Sequence, residues 1–88
     1  MKLHGFTREQ NISKAIDQLR SEHRQLVMSH RAITNRYKYY VQMAHMNQGK
    51  PEEDEFGRQA LEFRVKLLDL DMDRQDIDLR AKELGITL

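Results

Sequence analysis

Apolar residues recur at alternating steps of four and three along nearly the whole of this chain, and few sequence features restrict a fold more. The first run is Ile12, Ile16, Leu19, His23, Leu26, His30, Ile33, Tyr37, Tyr40 and Ala44. The second is Phe56, Ala60, Phe63, Leu67, Leu70, Arg74, Ile77, Ala81, Leu84 and Leu88. A seven-residue repeat held this long is that of a coiled-coil seam, not of a generic amphipathic helix. The only strong punctuation between the runs is "NQGKPEEDE". There Gly49 suits the left-handed position past a helix end and Pro51 suits the first turn of the next helix.

The ends of the two helices carry their own signals. "TREQ" at Thr7 is a capping box with Gln10 reaching back. Glu52, Glu53 and Asp54 place negative charge where the second helix dipole favours it. In "AKELGITL", Gly85 is a C-cap with Ile86 folding back onto the helix, a better account of the tail than the opening of a helix-turn-helix. The expectation is one all-α domain over 1–88, with helix 1 over about 7–47, a turn at 48–51 and helix 2 over about 52–84. Folding back at Gly49 makes it an antiparallel, coiled-coil-like hairpin of about 50–60 Å at 1.5 Å per residue. Positions adding to about 100 then face each other: Tyr37 and Phe63, Ile33 and Leu67, His30 and Leu70, Leu26 and Arg74, His23 and Ile77, Leu19 and Ala81, Ile16 and Leu84, Ile12 and Leu88.

Charge divides along the same line. Residues 1–50 hold nine Lys/Arg against three Asp/Glu, while residues 51–88 hold six against eleven. This asymmetry suits two helices that pair with each other, and it is also the kind seen in nucleic-acid-binding arms. There is no cysteine, which removes disulfides, thiolate zinc sites and thiol nucleophiles together. "MKLHGFTREQ" lacks an apolar run of signal-peptide length and no later segment resembles a membrane span, so the chain is read as soluble and cytoplasmic.

Helix 2 carries more apolar residues than one seam can use. Leu61, Val65, Leu68, Met72 and Leu79 fall opposite Phe63, Leu67, Leu70 and Ile77. Such a face is covered by Leu3 and Phe6 from the N-terminus, by a second copy, or by another protein. A small scaffold without disulfide or metal commonly relies on oligomerisation, which favours a homo-oligomeric helical bundle.

His23 and His30 are seam positions seven residues apart, about 10.5 Å along a helix and too far to share one metal. A helical metal pair sits four apart, so no metal site is expected, and neither His4 nor His45 repairs the spacing. Polar seam residues setting register are the first reading, and a pH-sensitive seam the second. Arg74 has Asp71 three residues before it and Asp78 four after, a spacing that forms a charged triad on the seam; anion binding by Arg74 is the sharper alternative. "DLDMDRQDIDLR" has Asp69, Asp71 and Asp73 in calcium-loop spacing, but Arg74 and Arg80 replace the glycine and the glutamate such a loop needs.

On helix 1, Arg24, Arg31 and Lys38 repeat every seven residues, with Lys14, Arg20 and the outward Tyr39 nearby. This is either a solvated face balancing the acidic helix, or a surface for phosphate backbones or anions. No glycine-rich phosphate loop or nucleophile motif is present, and a two-helix hairpin is expected to lack a concave pocket. No cofactor or enzyme activity is expected. The sequence therefore points to a small interaction protein acting on another macromolecule as adaptor, assembly factor or inhibitor. An accessory nucleic-acid-binding protein is the alternative, and sequestration of an anionic small ligand between subunits the weaker one.

Overall fold

Two long helices make up the computed structural model, which describes residues 7–88: α1 over Arg8–Met46 and α2 over Glu52–Leu84. They pack side by side as an antiparallel helix–turn–helix hairpin. The molecule measures 69 × 24 × 15 Å, a rod and not a ball. Leu3, Phe6 and His4 lie outside the described residues, so the N-terminal cover for helix 2 lies there too.

The termini form by local chemistry. Thr7 is the N-cap, its Oγ1 accepting from the Gln10 N–H at 3.2 Å, while Gln10 Oε1 accepts from the Thr7 N–H at 2.7 Å. Asn47 ends α1, its N–H donating to Met43 O at 3.1 Å and its side-chain amide to the same oxygen at 2.7 Å. A turn then closes through the Lys50 N–H to Asn47 O at 2.9 Å, with Gly49 at φ +82° in its third position. Glycine therefore serves inside the turn, two residues beyond the Asn47 C-cap and not directly after it. Pro51 precedes α2 at φ −58° and ψ −30°, already helical and one residue ahead of it.

At the far end Gly85 takes φ +70°. The Ile86 N–H donates to Ala81 O at 3.0 Å and the Gly85 N–H to Lys82 O at 3.1 Å, the paired bonds of a Schellman motif. Ile86 packs back onto the core as expected. Beyond this reversal Leu88 lines a groove with His23 and Arg74.

The core is narrow. Leu19, Leu26, Ile77 and Ala81 are buried together, with Leu70, Leu84 and Ile86 against them, and Ala60 is buried nearer the turn. All five buried residues are seam positions, and the large Leu19 shares the cluster with the small Ala81 as predicted. The register holds to within a few residues. Glu22 reaches Arg80, His30 approaches Asp71, and Tyr37 accepts from Arg64. Near the turn the ring stacked on Phe63 is Tyr40, three residues past the predicted Tyr37, with centroids 5.5 Å apart. Tyr40 also meets Phe56 at 6.3 Å.

Two glycines, one inside α2 and one at its C-cap, test this backbone with opposite signs, since a Cβ at either position meets nothing within 4 Å. Gly85→Ala forces an L side chain into the left-handed region and is expected to cost about 1 kcal/mol. Gly57→Ala, inside the helix, is expected to gain about 0.5–1 kcal/mol by removing unfolded-state freedom. Urea denaturation at fixed protein concentration reads both, and equal signs would contradict this account of the C-cap.

Candidate functional site

The polar seam residues do not share one fate. His23 is half-buried, but His30 and Arg74 are exposed. Arg74 forms no ion pair with Asp71 or Asp78, so the predicted triad is absent. Asp71 turns instead toward α1, its Oδ1 lying 3.7 Å from His30 Nε2. The other ring nitrogen of His30 lies 3.4 Å from the Thr34 hydroxyl. The reason is solvation. A guanidinium between apolar layers is costly unless fully paired, and a long side chain at the rim of a two-helix seam reaches water easily. His30 is likewise not enclosed in an apolar layer.

Two polar residues turned outward leave the middle of the seam open on both sides. Contrary to expectation, the hairpin has concave surfaces. One groove of about 470 Å³ is lined by His23, His30, Arg31 and Arg74 over Leu26, Val27, Leu70 and Leu88. The other, of about 440 Å³, runs along Glu22, Asp73, Asp76 and Arg80. Leu26 and Leu70 line both, so the grooves lie back to back across the seam. One side is cationic and the other mainly acidic.

The basic and the acidic helix lie side by side, yet the salt bridge from Glu22 Oε2 to Arg80 Nη1, at 2.8 Å, has its acid on the basic helix and its base on the acidic one. Arg80 Nε also lies 3.2 Å from Asp76 Oδ2. The hydrogen bond to Glu22, with the charges of Glu22 and Asp76, raises the Arg80 pKa above its ordinary value against a smaller opposing effect of burial. Arg20, Arg24, Arg31 and Lys38 stand exposed with no ion pair among the described residues, whereas Lys14 has an interaction partner. These four residues of the predicted basic stripe are therefore solvated. Tyr39 is outward, its ring edge-on to Tyr40 at 5.1 Å.

The surplus apolar face of α2 is open along its length. Leu61 is 61% exposed, Val65 51%, Leu68 55%, Met72 69% and Leu79 57%. Sequence reasoning missed a companion surface on α1, where Val27, Met28 and Ala32 form a shallow apolar patch between Arg24 and Arg31. The run "LVM" after Gln25 carried the signal, since only its leucine belongs to the seam. Asp69, Asp71 and Asp73 lie on unbroken helix, not in a calcium loop. Among the described residues no three His, Asp or Glu side chains converge to hold a metal ion, and no helix is long and apolar enough to cross a membrane. No protein family, curated protein or solved structure matches the chain.

His23 keeps an imidazole at a half-buried seam position beside the core, where a leucine would bury more apolar surface. His23→Leu is expected to stabilise the hairpin by about 1 kcal/mol, as polar seam residues trade stability for register. A thermal melt checks this, and a lower midpoint would mean that His23 makes a stabilising contact.

Proposed function

We propose that this is a non-enzymatic interaction protein, working as a homo-oligomeric helical bundle of coiled-coil type whose subunits meet through the outer face of α2. One observation carries the reading: five large apolar side chains in one stripe are each more than half exposed. Monomeric proteins rarely leave a contiguous apolar patch of this kind in water. A second copy is the favoured occupant, because the hairpin is poor in buried area. Its accessible surface is 7295 Å². A compact monomer of its mass exposes roughly 5,400 Å². The surplus, roughly 1,900 Å², exceeds the roughly 800 Å² each partner gives to a standard interface. In such a bundle the cationic and acidic sides of each hairpin face outward, where they serve to bind a further macromolecule.

Light scattering on a sizing column is the test. The wild-type chain is expected at the mass of a dimer or larger, and Leu68→Glu at the monomer mass with helicity retained. A wild-type monomer over the whole accessible concentration range would remove the reading.

A second reading, accessory nucleic-acid binding, is favoured by the cations Arg20, Arg24, Arg31 and Lys38, which have no ion pair among the described residues. Binding of this kind is largely sequence-independent and falls steeply with salt. On this reading, joint Arg24→Glu and Arg31→Glu substitution abolishes binding to a short DNA duplex at low salt and leaves the circular-dichroism spectrum unchanged. Undiminished binding by that variant would exclude it.

A further inference from the structure

We infer that the cationic groove is a binding site for a small oxyanion with an apolar body, such as a monoalkyl phosphate, seated within a single hairpin. Four basic side chains converge on it, His23, His30 and Arg31 from α1 and Arg74 from α2. No acidic side chain lines it. Asp71 stands at its rim, with Oδ1 3.7 Å from His30 Nε2. Both guanidiniums lack an ion-pair partner among the described residues. Their planar forks match the oxygens of phosphate or carboxylate, and two forks from opposite helices can grip one head group from both sides.

The floor excludes a bare inorganic anion as the best fit. Leu26 and Leu70 form it, while Val27 flanks it and Leu88 reaches it because the chain reverses at Gly85. An apolar ligand body covers these side chains, and a polar one leaves them facing its own water. The volume, about 470 Å³, falls in the range of small-molecule sites. This site differs from the α2 stripe, which has no basic groove beneath it, and from a backbone-tracking nucleic-acid surface, which needs no apolar floor. It also does not depend on oligomer formation, since every lining residue belongs to one chain.

Titration calorimetry on the full chain tests it with three probes: hexyl phosphate, inorganic phosphate and hexyltrimethylammonium. Hexyl phosphate is expected to bind once per chain, about tenfold or more tighter than inorganic phosphate because its methylenes are buried. The ammonium probe is expected not to bind. Arg74→Gln and Arg31→Gln should each weaken hexyl phosphate about tenfold through loss of a charge-assisted hydrogen bond, with helicity unchanged. Leu68→Glu should leave that affinity unaltered. The inference is overturned by no binding, by equal binding of the ammonium probe, or by loss of binding in Leu68→Glu while both arginine variants bind normally. The last result would place the alkyl chain on α2.

Discussion

A two-helix protein has only one seam, and everything in this molecule depends on how little that seam can bury. Leu19, Leu26, Ile77 and Ala81 form its centre, with Leu70, Leu84 and Ile86 at the margins. Each large side chain placed fully inside contributes about 1.5–3 kcal/mol. Ordering the backbone of each residue costs about 1–2 kcal/mol. A core this narrow therefore leans on unbroken backbone hydrogen bonding along both helices and on well-made ends. The capping box at Thr7 and the Schellman motif at Gly85 are thus structural necessities as well as boundaries.

The same shortage explains the surface. With a single layer of contact, each helix keeps an outer face that no other part of the described chain covers. On α2 that face is apolar, and burial against another copy would add the second layer that the hairpin lacks. On α1 it is basic, with Val27 and Met28 set among the arginines. The proposed assembly and the proposed anion site thus follow from one cause. A thin fold leaves its chemistry on the outside and between its helices, not in an enclosed pocket.

Charge is sorted by side of the hairpin as well as by helix. In an antiparallel pair the residues flanking the seam meet their like-placed counterparts, so each side of the seam collects one flank from both helices. One flank brings His23, His30, Arg31 and Arg74 together, and the other brings Glu22, Asp73 and Asp76 together around Arg80. The Glu22–Arg80 bridge joins the two helices on the second side and uses no residue of the basic stripe. Such a molecule presents two opposite electrostatic faces to its surroundings despite a net charge of +1.

Helix, turn and register were legible in the sequence because they rest on local rules. The four–three spacing marks the buried faces, Thr7 and Gln10 make a cap from groups three residues apart, and glycine alone sits easily at the positive φ of positions 49 and 85. The exposed stripe of Leu61, Val65, Leu68, Met72 and Leu79 was legible for the same reason, as apolar residues on the wrong side of a known periodicity. What the spacing could not decide was the direction taken by side chains at the seam's rim. Arg74 stood two short steps from two aspartates, yet it lies in water and Asp71 approaches His30 on the other helix. Heptad position fixes where a Cα lies, but whether a long charged side chain points into the seam or out of it depends on the balance of desolvation and pairing across two helices. That balance exists only once the helices are side by side, so the grooves, and the separation of charge between them, were decided by the tertiary structure.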